Sequence, residues 1–154
     1  TGHPILSKLR DCYLAAVDQG KQGQIPIFVG GGFGDTGDLA ADAFKAICLG
    51  ANGVFSAKIW LQLAGCVGND KGRCNACNTG YCPVGICTQE HRLVARLDVD
   101  AVAQNIVDYF LALDQELKKL MAPIGNSTLP IGRSDALIAM SKSAAERLQI
   151  AYAC

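Results

Sequence analysis

The chain has 154 residues, half of them hydrophobic, and its 14 basic and 14 acidic residues leave no net charge. This length suits one domain with its own core, and the balanced charge gives no basic surface for nucleic acid. Because no apolar run reaches the ~18 residues of a membrane helix and the first residues lack the layout of a secretory signal, we expect a soluble, cytoplasmic protein without a nucleic-acid or membrane partner.

The first part of the chain alternates between helical and strand patterns. Apolar residues recur at helical spacing from Pro4 to Gly20 and again from Asp38 to Leu49. Each of these segments is followed by a short apolar run, Ile25–Val29 and Gly53–Ala57. Both runs are apolar on both faces, which is typical of parallel strands covered by helices. The pattern therefore predicts an α/β architecture.

A long loop follows the second strand. A short apolar helix over Ile59–Cys66 leads into a stretch that is rich in glycine, asparagine and cysteine and continues to Cys87. This stretch is too long and too poor in hydrophobic residues to be ordered by its own packing. The sequence therefore predicts that a ligand holds it.

The remainder of the chain is predicted to be helical. Asp98 or Asp100 can cap a long helix that ends near Met121, because Pro123 cannot continue it. A shorter helix is predicted over Ser134–Leu148. Trp60, a large aromatic residue on an apolar helix, is expected to serve in packing.

The eight cysteines are unevenly distributed. Cys12 and Cys48 stand alone on the apolar faces of predicted helices, where we expect them to be buried. Five others fall within one short segment: Cys66, Cys74, Cys77, Cys82 and Cys87. In a chain without an export signal, such a group favours metal binding over disulfides.

The spacing within this group favours an iron–sulfur cluster. Cys74, Cys77 and Cys82 form a C-x2-C-x4-C-P run, and Cys66 lies upstream. Thiolates on a turning loop are the usual ligands of iron–sulfur clusters. A tetrahedral zinc site is the rival interpretation, although the paired C-x2-C rhythm of zinc ribbons is absent, and unligated thiols are the third.

A glycine loop follows the first strand. Gly30, Gly31 and Gly32 end the strand and precede a helix, so that backbone N–H groups and the helix N-terminus can approach an anion. In a (β/α)8 barrel, phosphate is often bound by the loops after the last two strands. The second strand ends in Ser56, Ala57 and Lys58, which fits that use. The alternative is a glycine-rich turn without a ligand.

Taken together, these segments resemble the C-terminal part of the FMN-binding, iron–sulfur-containing domain of the glutamate synthase family. The resemblance covers nearly the whole chain, and the cysteine segment is its specific part. The matching segments are Ile27–Gly37, Leu49–Asn52, Gly65–Cys66 with Cys77–Gln89, and Ile131–Asp135.

The resemblance implies a fold and a set of site residues. Residues 1–65 would supply the last two strand–helix units of a (β/α)8 barrel, residues 66–97 the cluster loop and residues 98–154 a helical extension. Backbone N–H groups of the glycine loop, Ser56 and Ala57 would hold the FMN phosphate, with Lys58 adding charge. Cys66, Cys77 and Cys82 would ligate a [3Fe–4S] cluster, and Cys74 as a fourth ligand leaves [4Fe–4S] open.

The resemblance also implies a reaction. Electrons would pass from a donor, such as ferredoxin or an NAD(P)H-oxidising subunit, through the cluster to FMN. The reduced flavin would convert 2-oxoglutarate and ammonia, derived from glutamine, to glutamate. The rest of the barrel, in the same polypeptide or another subunit, is the expected partner, and it would hold most substrate-binding residues, so no catalytic residue is assigned. One alternative is a related enzyme with another substrate, such as an N-methylglutamate synthase. Another is a non-catalytic electron-transfer or zinc-stabilised subunit.

Within the matching segments, the chain departs from the family pattern in two places. Ten residues separate Cys66 from Cys77, about twice the family's spacing, and the additional stretch supplies Cys74. In the phosphate loop, where the family often has a lysine, this chain has Phe33, Gly34 and Asp35. A carboxylate is therefore expected near the phosphate site.

Overall fold

The fold is a mixed arrangement of helices and short strands in a computed structural model that describes residues 4–35, 37–68 and 74–153. The helices are α1 (Ile5–Asp18), α2 (Leu39–Cys48), α3 (Lys58–Leu63), α4 (His91–Val94), α5 (Val99–Met121) and α6 (Lys142–Leu148). The strands are β1 (Phe28–Gly30), β2 (Gly53–Phe55), β3 (Ile138–Ala139) and β4 (Ala151–Tyr152).

The chain divides into two units, and the division falls within α5. The first unit comprises Thr1–Ser56 and Asp114–Cys154, and the second comprises Ala57–Leu113. Neither unit contains a helix, within the described ranges, that is long and apolar enough to cross a membrane.

The two strands predicted in the first part of the chain form a parallel pair in the first unit. Phe28 pairs with Gly53 and Gly30 with Phe55, and α2 connects the two strands. Asn52 aligns their beginnings, because its side-chain Oδ1 accepts from the Ile27 N–H at 2.8 Å while its backbone N–H donates to the Ile27 carbonyl at 2.7 Å. The predicted α/β architecture is confirmed.

Helix α2 begins and ends where the sequence signals it should. Asp38 caps its first turn, since the Oδ1 atom accepts from the Ala41 N–H at 2.9 Å. Gly50 ends it with a φ of +117°, and a Cβ at this position would lie 2.2 Å from the ring of Tyr13. Only glycine therefore allows α1 to approach this turn so closely.

The expectation that both strands are enclosed on both faces is met on one face only. Val29 is buried, whereas the side chains of Phe28 and Phe55 are 58% and 67% exposed and contact each other with ring centroids 5.9 Å apart. Among the described residues, no third strand pairs with β1 or β2. The exposed aromatic pair marks the face that lacks a covering layer.

The core of the first unit lies between α2 and the end of α5. Phe44, Cys48 and Met121 form its buried centre, and Leu117 and Leu120 pack against it. The prediction for Cys48 is confirmed, but the prediction for Cys12 is wrong, because its side chain is exposed. The buried stripe of α1 runs instead through Leu9, Arg10 and Tyr13.

The predicted helix over Ser134–Leu148 is wrong in its first half. A single 3₁₀ turn at Ser134–Ala136 leads into β3, and α6 begins only at Lys142. Ser141 sets this start, since its Oγ accepts from the Ala144 N–H. Strand β4 then returns parallel to β3, so the predicted helical extension contains a small strand–helix–strand unit.

The second unit packs α3 against the first half of α5. The ring of Trp60 stacks on Phe110 at 4.9 Å and meets Tyr109 edge-on at 5.7 Å. The packing role predicted for Trp60 is confirmed. Asp98 caps α5 through the Ala101 N–H, and the helix ends at Met121 as predicted.

Candidate functional site

Three of the four predicted metal ligands line one cavity in the second unit. The cavity has a volume of about 650 Å³, and Cys66, Cys74 and Cys77 contribute to its wall together with Ala57 and Lys58. All seven described cysteines are free thiols. The cysteine segment therefore folds around a concave space, as expected of a loop that encloses a ligand.

Short local structures place the cavity thiols. Cys66 follows the end of α3, where its N–H donates to the Leu61 carbonyl at 2.9 Å. A Cβ at Gly68 would lie 3.5 Å from both the Cys66 Sγ and the Cys74 Cβ, so these two cysteines flank that glycine. Cys77 lies in a 3₁₀ turn over Ala76–Asn78.

Cys82, the fourth predicted ligand, is buried in a turn of backbone N–H groups. The N–H of Cys87 is the main donor to its sulfur, and those of Val84, Gly85 and Ile86 add to it. These donors lower the pKa of the Cys82 thiol against the opposing effect of burial. The turn thus favours the thiolate, which is the form that binds metal.

The pKa of the Cys77 thiol is raised, in contrast to that of Cys82. The charge of the neighbouring Cys87 raises the pKa of its thiol most, and burial, a hydrogen bond with Cys87 and the charges of Cys66 and Cys74 act in the same direction. The negative charge of neighbouring sulfurs thus opposes ionisation of the Cys77 thiol, and a nearby positive charge would offset this effect. A bound metal would supply that charge.

The described part of the chain does not assemble a compact site for a single metal ion. Within residues 4–35, 37–68 and 74–153, no three His, Cys, Asp or Glu side chains are placed to hold one metal ion. In an iron–sulfur cluster each cysteine binds a different iron, so the sulfurs stand farther apart than around one ion. The thiols that line the cavity are the ligand type that an iron–sulfur cluster needs; residues 69–73 of the same loop lie outside the described residues.

The glycine loop lies in the first unit, directly after β1. Gly31 and Gly32 have φ values of +124° and +75°, and a Cβ at Gly31 would meet no atom within 4 Å. The backbone at Gly31 therefore faces open space that any side chain would occupy. Ser56 braces this loop from the end of β2, because its hydroxyl donates to the Phe33 carbonyl at 2.7 Å.

Two carboxylates limit how the loop can bind an anion. The Gly34 N–H already donates to Asp42 Oδ2 at 3.1 Å, and the Asp35 carboxylate lies 4.0 Å from where a Gly32 Cβ would be. The sequence predicted the acidic neighbour Asp35. It did not predict Asp42, since an acidic residue in a first helical turn ordinarily serves the helix N-terminus.

The residues predicted to bind the phosphate belong to two different units. Gly30 to Gly32 and Ser56 belong to the first unit, whereas Ala57 and Lys58 begin the second and line the cavity with the cysteines. The structure thus brings Lys58 to the thiols. The glycine loop fits an approaching phosphate at Gly31.

Comparison with known proteins identifies the same family along most of the chain. The family model described as "Conserved region in glutamate synthase" matches residues 1–127. The archaeal glutamate synthase [NADPH] of Archaeoglobus fulgidus is 37% identical over 117 residues, which cover 73% of this chain and 21% of that protein. Its counterpart in Methanocaldococcus jannaschii is 35% identical over 121 residues, or 75% of this chain and 22% of that protein.

A plant relative matches over a longer range. The chloroplastic ferredoxin-dependent glutamate synthase of Oryza sativa is 28% identical over 151 residues, covering 97% of this chain and 9% of that protein. The chain thus spans about a fifth of the archaeal relatives. The match of the family model over residues 1–127 and the identity to the archaeal enzymes show that this chain belongs to the glutamate synthase family.

Proposed function

We propose that the chain carries the iron–sulfur cluster and part of the FMN site of a glutamate-synthase-type oxidoreductase. The observation that carries this proposal is the cavity walled by Cys66, Cys74 and Cys77, with the Cys82 sulfur held in a turn of N–H groups. Cys66, Cys77 and Cys82 are the ligands in this proposal. Cys74, on the wall of the same cavity, would be a fourth ligand and complete a [4Fe–4S] cluster.

For the flavin, the proposal assigns the phosphate to the loops that end β1 and β2. Gly31, between Gly30 and Gly32, leaves the backbone open to an anion, and Ser56 holds that loop in place. Ala57 and Lys58 follow in the chain and add a backbone N–H and a positive charge. When bound, the cluster supplies one-electron transfer and FMN supplies hydride transfer.

The proposed reaction is the reductive amination of 2-oxoglutarate to glutamate, with nitrogen from glutamine or ammonia. The relatives include both an NADPH-linked and a ferredoxin-dependent glutamate synthase. Either donor class is compatible with a one-electron cluster that feeds a flavin. The residues of this chain would hold the cofactors, while the substrate would be bound largely by the rest of the enzyme.

We also propose that β1 and β2 are the last two strands of a (β/α)8 barrel. Their parallel register and their position before a phosphate loop are those of such strands. The exposed Phe28 and Phe55 would then be covered by the remaining strands. These strands come from the same polypeptide or from a partner subunit.

An absorption spectrum of the anaerobically purified enzyme that contains this chain tests the proposal. We expect the spectrum to show flavin bands together with the broad shoulder of an iron–sulfur cluster. In an activity assay, we expect the same enzyme to form glutamate from 2-oxoglutarate. Flavin and cluster without glutamate formation would favour an enzyme with another substrate. A colourless preparation that contains zinc would show a structural module and contradict the proposal.

A further inference from the structure

One hydroxyl joins the two ends of the turn over residues 80–88, which contains Cys82. The Thr88 Oγ1 atom donates to the Gly80 carbonyl at 2.5 Å and accepts from the Glu90 N–H at 3.1 Å. Thr88 is buried, with 9% of its surface exposed. The hydroxyl therefore closes the turn from its inner side, where water has little access to replace it.

Helix α4 supports the same turn from one side. A Cβ at Gly85, whose φ is +84°, would lie 2.6 Å from the Leu93 carbonyl, so only glycine lets the turn approach the helix this closely. The Arg96 Nη1 atom donates to the Pro83 carbonyl at 3.0 Å, but this hydrogen bond is exposed. Water can replace the contact of Arg96, whereas the contacts of Thr88 are partly buried.

The position of Cys82 depends directly on the closure of this turn. Cys82 is buried, with 6% of its surface exposed, whereas the other three predicted ligands are exposed or half-buried. It lies two residues after Gly80, whose carbonyl accepts from the Thr88 hydroxyl. A buried side chain has little freedom to change its rotamer. Its sulfur is therefore placed by the backbone of the turn.

We propose that Thr88 is a positioning residue that places Cys82 to bind the iron–sulfur cluster. This inference rests on the proposed function, because it requires Cys82 to be a ligand. Replacing residues that orient metal ligands without touching the metal typically costs roughly 10- to 100-fold in metal affinity. Thr88 acts through the backbone that carries Cys82, so the set of ligands does not change.

Removal of the hydroxyl would leave two backbone groups without their partner. The Gly80 carbonyl and the Glu90 N–H would then need water, and water reaches them only when the turn opens. An open turn lets the Cys82 sulfur move away from its iron. The iron would then be released more readily to a chelator in solution.

The test measures the rate of iron release from the anaerobically purified enzyme that contains this chain. Thr88→Val removes the hydroxyl at nearly constant volume, whereas Thr88→Ser retains it. After addition of excess ferrozine and dithionite, the coloured iron complex is followed over time. Thr128→Val, which makes the same change at an exposed threonine of the first unit, is the matched control.

We expect Thr88→Val to release iron about tenfold faster than the parent, because the lost hydroxyl orients a ligand. Thr88→Ser and Thr128→Val should release it at the parent's rate. Equal rates in Thr88→Val and the parent would overturn the inference. Equally fast release from Thr88→Val and Thr88→Ser would overturn it too, because the methyl group and its packing would then be responsible.

A second pair of variants covers the case in which Thr88→Val does not fold. Thr88→Ala and Thr88→Ser differ only in the hydroxyl oxygen. Faster release from Thr88→Ala than from Thr88→Ser supports the inference, and equal rates overturn it. A parent enzyme without iron would overturn the proposed function itself.

Discussion

Cys48 and Cys82 show how two buried residues of one type acquire opposite properties. Burial raises the pKa of the Cys48 thiol to about 11, with a further contribution from the charge of Asp135. For Cys82, backbone N–H groups outweigh burial and lower the pKa. The first environment preserves a neutral thiol that packs beside Phe44, and the second prepares a thiolate that can bind metal.

The pKa of Cys48 predicts a slow reaction with alkylating reagents. At pH 9 about half of an ordinary thiol is ionised, but only about one in a hundred of the Cys48 thiols is, because its pKa is about 11. Iodoacetamide should therefore modify Cys48 at least about tenfold more slowly than the exposed Cys12. Mass spectrometry of timed samples from the assembled enzyme measures both rates, and equal rates would contradict the burial of Cys48.

The same shift has a consequence for stability. Well below pH 9 the Cys48 thiol is neutral in the folded and unfolded states, so it adds no pH dependence there. Between pH 9 and about 11 it ionises in the unfolded state first, so the free energy of unfolding falls as the pH rises.

The sequence predicted the role of residues best where several residues of one type cluster in a short segment. Five cysteines in one segment indicated a ligand-binding loop, and three of them line one cavity. The burial of single residues was predicted less well, because Cys12 is exposed where burial was expected. It follows the apolar periodicity of α1, but the buried stripe is centred between Leu9 and Tyr13, about 80° away around the helix.

At the scale of elements, the loop between β1 and α2 combines features that favour and oppose anion binding. Gly31 leaves open space beside the backbone, whereas Asp35 places a carboxylate next to Gly32. The two features can be tested separately, because they lie on different residues of the loop.

Replacement of Gly31 by valine should weaken FMN binding more than tenfold. A side chain would fill the space that the phosphate must enter, and the φ of +124° is itself unfavourable for valine. Gly23→Val is the matched control, since Gly23 also has a positive φ and open space but lies in the connector before β1. Fluorescence titration of the deflavinated enzyme measures both, and tight binding by Gly31→Val would place the phosphate elsewhere.

Replacement of Asp35 by asparagine should strengthen FMN binding by about threefold, because it removes a partly screened negative charge near the phosphate. The same titration at low and high salt measures this effect, which should shrink as the ionic strength rises. Asp18→Asn, at the end of α1, serves as the control. Unchanged affinity at low salt would show that Asp35 does not face the phosphate.

Helix limits were predicted well where a cap or a proline marks them. Asp38, Asp98 and the position before Pro123 gave the right boundaries within one or two residues. The strands β3 and β4 were missed because each has two residues, too few for an alternating pattern to appear. The apolar run before Ser141 was therefore interpreted as part of a helix.

At the scale of the whole molecule, the β1–β2 pair is the feature that indicates missing neighbouring strands. Phe28 and Phe55 lie exposed on one face of this pair, and a closed barrel would bury that face. Two-stranded sheets are marginal by themselves. The sequence indicated this need, because both strands are apolar on both faces, but it could not say what fills the missing places.

We expect the 154 residues expressed alone to aggregate and to bind FMN weakly. Unpaired strand edges beside exposed aromatic rings favour association between copies, and the flavin ring would lack most of its pocket. Co-expression with the polypeptide that supplies the other strands should restore solubility and flavin content. Size-exclusion chromatography with flavin quantification measures both, and a monomer saturated with FMN would contradict the barrel proposal.

The central claim is that cysteines 66 to 82 hold an iron–sulfur cluster, and metal analysis combined with Mössbauer spectroscopy tests it most directly. The anaerobically purified enzyme that contains this chain should hold about three to four irons at this site. Cys77→Ala should lose most of them, while the matched Cys12→Ala variant should keep them all. Stoichiometric zinc without iron in the parent, or an unchanged cluster in Cys77→Ala, would contradict the account.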